Sequence, residues 1–195
     1  GANNDPIRLA EDYATLDVLS GGRVELVVGR GNLYEHTYEA FGQDPAVSRP
    51  MYEERVSLLV RALREEQLDW SGDFRSPFRN FTTQPRPLQD TLPIWVGGGS
   101  SVESVEYAAK MGLPLMLPGV FGPPKYFVPL VERYREAWEE NGHPSQDCQV
   151  GTIAHTFMAS SSQEAFSVSG PRFKVYMEWV RDLLRLSTPA LRDMI

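Results

Sequence analysis

The chain has 195 residues and is 42% hydrophobic, enough for one sizeable domain with a real core or for two small ones. Its 26 Asp and Glu outnumber 19 Lys and Arg, and the formal net charge of -7 argues against nucleic acid or an anionic membrane as the main partner. With one cysteine, Cys148, and three scattered histidines, the chain can form no internal disulfide and offers no zinc-ligand spacing, so no metal is expected.

In chain order, apolar positions Ile7, Leu9, Ala10, Tyr13, Ala14, Leu16 and Leu19 form a helical stripe from Pro6 to Leu19, which Ser20, Gly21 and Gly22 end. The run RVELVVGRG alternates and then turns apolar, predicting a strand at 24–28. Residues 51–68 predict an amphipathic helix. From 68 to 92, aromatic residues, turn formers and QPRP predict a short excursion or hairpin and an extended approach to the next strand. Alternation then resumes with strand 93–97, helix 101–111, strand 113–117, helix 124–141, strand 149–158 and helix 163–186. Such alternation implies parallel strands joined by right-handed crossovers. An α/β barrel and a doubly wound sheet both satisfy it, and in either one ligands sit at the C-terminal strand ends. No run approaches the roughly 18 to 20 apolar residues that span a bilayer, and no signal-peptide pattern opens the chain; a cytoplasmic protein is expected.

Two strand ends carry candidate chemistry. In PIWVGGGSSVES, Gly97, Gly98 and Gly99 permit close backbone approach. Ser100, Ser101 and Ser104 add hydroxyls at a helix N-terminus, where free N–H groups and the helix dipole favour an anion. The bland alternative is a tight turn with a capping serine. It is not a P-loop, and the dinucleotide pattern G-x-G-x-x-G fails at Val102. In VVGRGNLYEH, Arg30 emerges two residues after its strand and could clamp phosphate oxygens, or could pair with Glu35 or Glu39 at the surface.

Other candidates are weaker. His36 is a weak acid or base candidate in the loop after the Arg30 strand. His143 reads as helix-ending punctuation, and His155, inside an apolar strand, reads better as a satisfied core histidine than as a group facing a barrel mouth. Glu103 and Glu106 share a helical face and read as solvated surface. Trp70, Phe74, Phe78 and Phe81 could line an apolar pocket, but read better as packing of the excursion onto the body.

The segments AEDYATLDVLSGGRVELVVGRGN, FGQD, QPRPLQDTLPIWVGGGSSVESVEYAAKMGLPLML and VERYREAWEENGH resemble the bacterial luciferase-like flavin monooxygenases. The broader superfamily of that family includes deazaflavin-dependent oxidoreductases. The resemblance implies a (β/α)8 barrel of the TIM-barrel family that binds reduced FMN at its C-terminal rim and activates dioxygen. By motif position it implies phosphate contacts from Arg30, Ser101 and Ser104. The segment RGNLYEHTYEAFG resembles the family pattern with one extra residue, which leaves the placement of Tyr34 or His36 open.

A complete barrel needs about 250 residues, and the first helix here corresponds to the one after strand three. The chain is therefore expected to cover about half to two-thirds of the barrel, as a fragment of a longer protein or as a half-barrel that associates, for instance as a homo-oligomer. The expected partners are a small organic substrate and a separate flavin reductase. The alternatives are a coenzyme F420-dependent oxidoreductase and a non-catalytic flavin-binding or structural fragment.

Overall fold

The computed structural model describes residues 4–31, 35–99 and 101–187, with the side chains of residues 35, 36 and 183–187 outside the description. Asp5 opens helix α1 (Pro6–Ser20) by accepting the Ile7 and Arg8 N–H groups at 2.9 and 3.1 Å, with Pro6 in the first turn. Gly21 ends it in the left-handed conformation, at φ 71°. Strand β1 (Leu26–Val28) follows, then a short helix α2 (Glu35–Ala40) that the sequence pattern did not predict, and helix α3 (Ser48–Arg64). Helix α3 starts three residues earlier and stops four earlier than its apolar spacing suggested. Its end is set by a side chain distant in sequence. Arg86, from the QPRP segment, donates to the Ala62 and Leu63 carbonyls at 2.6 Å each, satisfying acceptors that the helix leaves open.

The excursion is a hairpin of strands β2 (Leu68–Trp70) and β3 (Phe78–Phe81). Trp70, Phe74, Phe78 and Phe81 pack against the main core, so this aromatic cluster serves packing. Strand β4 (Ile94–Gly97), helix α4 (Val102–Lys110), strand β5 (Leu115–Leu117), helix α5 (Val128–Glu140), strand β6 (Val150–Thr152) and helix α6 (Ser162–Ser187) complete the order.

The main sheet runs β1-β4-β5-β6, and every pairing is parallel, as the alternation of strands and helices implied. Its helix-facing side buries Leu26, Val28, Ile94, Val96, Leu115 and Leu117. The opposite side carries Val27, which is 44% exposed, with Trp95 and Met116 half-buried. All four strand ends reach the same rim. Among the described residues no helix is long and apolar enough to cross a membrane.

Strand β6 is much shorter than the expected 149–158. The ladder continues only to the Ile153 N–H, which donates to the Leu117 carbonyl at 3.0 Å. Beyond Leu117 the partner strand meets Pro118, which has no N–H, and turns into a 3-10 turn at Gly119–Phe121. Without a pairing edge the following residues leave the sheet. His155 is therefore an exposed residue, contrary to its expected place in the core, with its ring 5.3 Å from Phe173 and 5.1 Å from Tyr176 on α6. His143 is structural, as its position suggested: its ring lies 5.0 Å from Trp138 at the end of α5.

A buried carboxylate joins the N-terminal elements. Asp17 of α1 accepts from the Val24 N–H at 3.3 Å, the Gln89 N–H at 2.9 Å and the Gln89 side-chain amide at 2.8 Å, which also donates to the Val24 carbonyl. Burial pushes its carboxyl up, but hydrogen bonds from Gln89, Val24 and Leu88 outweigh burial and hold it below its ordinary value. Such a group stabilises the fold above about pH 4, and its contribution is lost as pH falls through the lower folded-state value. Asp17→Asn should cost about 3 kcal/mol at pH 7, because donors then face a donor. Urea melts from pH 7 to pH 2 should also show a shallower acid loss in the variant than in the unsubstituted protein.

Candidate functional site

The ends of β1 and β4, adjacent in the sheet, form one side of a cleft lined by Arg30, Arg49, Tyr52, Glu53, Val96, Gly97, Ser104 and Tyr107. Arg30 is held there through its backbone environment. Tyr38 donates its hydroxyl to the Arg30 carbonyl, and Tyr52 donates to the Val28 carbonyl, each at 3.1 Å. Among the described residues Arg30 makes no ion pair, and its guanidinium lines the cleft.

Helix α3 brings the second guanidinium. Arg49 donates to the Ser101 hydroxyl at 3.3 Å and lies 4.0 Å from carboxylate oxygens of both Glu53 and Glu103. Sequence reasoning did not single out Arg49, Tyr52 or Tyr107. The available signal was the spacing of Arg49, Tyr52 and Glu53 on one side of an amphipathic helix, which does not tell a cleft from any other buried face.

Helix α4 begins at the opposite wall. Ser101 occupies its N-cap position, yet its side chain caps no backbone group, so the simple capping alternative does not describe it. Its hydroxyl instead meets Arg49. Ser104 donates to the Ser101 carbonyl at 2.7 Å and accepts the Gly99 N–H at 3.4 Å. Ser100 and the side chain of His36 lie outside the described residues, as does Tyr34; the backbone places His36 in α2.

Gly98 and Gly99 act through space more than through donors. The Gly98 N–H is taken by the Met116 carbonyl at 3.0 Å. A Cβ on Gly98 would lie 3.0 Å from Leu115 Cδ1 and 3.3 Å from Ser104 Oγ. At Gly99, where φ is +116°, a Cβ would lie 2.9 Å from Pro118 and 3.0 Å from Leu117. The turn is therefore closed to larger residues.

Two phenols form the floor. Tyr52 and Tyr107 have ring centroids 5.9 Å apart, and Tyr107 donates to the Glu53 carbonyl at 2.9 Å. Burial raises both phenols far above their usual range, with smaller pushes from Tyr52 and then Glu53 at Tyr107 and from Glu53 at Tyr52, where Arg30 and Arg49 only partly oppose it. Both stay protonated and keep donating. Glu103 is held below its usual range by its own backbone N–H, then by the Ser101 hydroxyl, with smaller help from Arg49 and Arg30. The cleft thus brings two guanidiniums, the Ser104 hydroxyl and the Glu53 carboxylate together beside the start of a nine-residue helix, whose N-cap Ser101 is bonded to Arg49.

The luciferase-like monooxygenase family matches residues 1–186. An uncharacterized protein of Sinorhizobium fredii, y4wF, is 30% identical over 194 residues, which cover 94% of this chain and 54% of that protein. The alkanal monooxygenase alpha chain of Aliivibrio fischeri is 27% identical over 162 residues, 82% of this chain and 43% of the other. The chain spans about half the length of the curated relatives it matches.

Monooxygenase RslO1 from Streptomyces bottropensis has a similar structure, with TM-score 0.79 at 24% identity over 99% of this chain and 65% of that one. The oxygenating constituent of 3,6-diketocamphane monooxygenase from Pseudomonas putida, in complex with FMN, gives 0.71 at 20% identity over 94% and 56%. The coenzyme F420-dependent tetrahydromethanopterin reductase of Methanopyrus kandleri gives 0.64 at 19% identity over 84% and 50%. The fold is that of the luciferase-like α/β barrel, of which this chain covers about half to two-thirds.

Tyr52→Phe removes the hydroxyl that holds the Val28 carbonyl and leaves that acceptor without its phenol partner in a buried setting. The expected loss is about 1 to 3 kcal/mol, read as a lower urea midpoint with an unchanged slope.

Proposed function

The chain belongs to the luciferase-like monooxygenase family, and from that premise we propose that it carries the cofactor-phosphate part of a flavin-dependent monooxygenase using reduced FMN and dioxygen to oxidise a small organic substrate. The observation that carries this reading is the convergence of Arg30 and Arg49 with Ser101 and Ser104 at the start of α4. In the proposal the two guanidiniums neutralise the phosphate dianion, the hydroxyls and the first turn of α4 donate to its oxygens, and Gly98 and Gly99 keep the turn tight.

Bound FMN would supply the electrons for dioxygen chemistry, which no amino-acid side chain provides. The protein's own contribution is placement. Tyr38 and Tyr52 hold the β1 end that bears Arg30, and the sheet side carrying Val27, Trp95 and Met116 offers an apolar surface that excludes water. The proposal includes a separate flavin reductase as the source of reduced cofactor. It also includes self-association as a homo-oligomer.

Coenzyme F420 with hydride transfer is the second reading, because its ring also connects to a phosphate that this cleft could hold. The fold shared with an F420-dependent reductase favours keeping it.

Flavin fluorescence titration tests the cleft. Arg30→Ala and Arg49→Ala should each weaken FMN binding by about 1.5 to 3 kcal/mol, roughly 10- to 150-fold, while riboflavin changes little. Equal losses for both ligands would remove these arginines from the phosphate site.

A further inference from the structure

On its helix side the phosphate cleft runs into a second groove over α4 and α5, and Glu53 and Tyr107 line both. Among the described residues, four carboxylates, those of Glu53, Glu103, Glu106 and Glu140, face this groove against two cations, Lys110 and Arg133. Arg133 has no charge to spare. It bonds Glu106 at 2.7 Å and Glu140 at 2.9 and 3.0 Å, and also reaches Glu136 at 3.4 Å.

Arg49 stands at the boundary, between the cleft and the carboxylates of Glu53 and Glu103. A ligand that ends in a phosphate monoester stops at this guanidinium. One whose phosphate is a diester has a further substituent on phosphorus, and the groove that shares Glu53 and Tyr107 with the cleft would carry that substituent past Glu53 and Glu103. If it carries carboxylates, as the oligoglutamate tail of coenzyme F420 does, like charges meet in the groove at partly exposed, incompletely screened sites.

We infer that Glu53, Glu103 and Glu106 form a carboxylate rim that selects a cofactor ending in a phosphate monoester and rejects one whose phosphate continues into a polyanionic tail. This rests on the phosphate-cleft reading above and identifies side chains that decide between its two cofactors. It also gives Glu103 and Glu106, which resemble an ordinary solvated helix face in sequence, a task that depends on their position beside Arg49.

The test is a binding titration of the intact chain at low ionic strength with FMN, riboflavin, coenzyme F420 and the tail-less ribityl deazaflavin. FMN should outbind riboflavin, whereas F420 should bind no more tightly than the tail-less deazaflavin. In Glu103→Gln/Glu106→Gln the affinity of F420 relative to tail-less deazaflavin should rise about tenfold, the scale expected for removing two partly screened like charges. The FMN-to-riboflavin ratio should also rise in the same variant, by no more than about threefold, because a monoester that stops at Arg49 meets only the nearer of the two removed charges. Retained FMN binding reports a folded cleft, and Glu103→Gln alone, at an exposed side chain, repeats the comparison if the double variant does not fold.

The rim is refuted if wild-type protein gains as much from the F420 tail and phosphate as it gains from the FMN phosphate, or if the variants leave the F420 ratio unmoved. If FMN does not outbind riboflavin, the phosphate cleft itself fails, and the rim with it.

Discussion

Asp17 is a buried negative charge satisfied without a cation, and the placement of the candidate site depends on it. Its partners come from the turn before β1 and from Gln89, ahead of β4, 72 residues away in sequence. Neutral donors can hold a carboxylate only when several converge, since desolvation of the charge costs several kcal/mol. That convergence sets how α1, β1 and the approach to β4 meet. The Leu26 N–H then bonds the Pro93 carbonyl at 2.9 Å, and the parallel register pairs Val28 with Val96. Arg30 and the glycine-serine turn consequently leave the sheet side by side.

The cleft is held by groups outside the polar chemistry it offers. Tyr38 and Tyr52 fix backbone carbonyls at the end of β1, and Tyr107 ties α4 to α3 through the Glu53 carbonyl. Phenols are protonated at physiological pH in any setting, and burial raises those of Tyr52 and Tyr107 further, so their two ties persist well into alkaline pH. Arg49 is oriented by Ser101, with Glu53 and Glu103 nearby, so little side-chain freedom is left to lose when an anion arrives. The same carboxylates lower the net positive charge of the site.

The open side of the sheet explains the exposed apolar surface. Helices cover one side, while Val27, Trp95 and Met116 lie on the other, the side that a closed barrel turns inward. Past β6, Ile153, Phe157 and Met158 are exposed because Pro118 ends the neighbouring ladder. The same break moves His155 from its expected core position to an exposed stack with Phe173 and Tyr176.

By itself the sequence determined the alternation of strands and helices, the parallel sheet that this implies, and the two strand ends bearing Arg30 and the Gly98, Gly99, Ser101 and Ser104 turn. These are local signals: period, glycine punctuation and a hydroxyl at a helix start can all be read within a few residues. The rest came from the tertiary structure: Arg49 and two tyrosines join them, Arg86 ends α3, β6 stops at Thr152, and Glu103 and Glu106 stand in the groove that adjoins the cleft. Each depends on a partner brought from far along the chain, as Arg49 is to Ser101 across 52 residues. A helical arginine looks the same in sequence whether it faces water or an anion site, because the difference lies in what the fold packs against it.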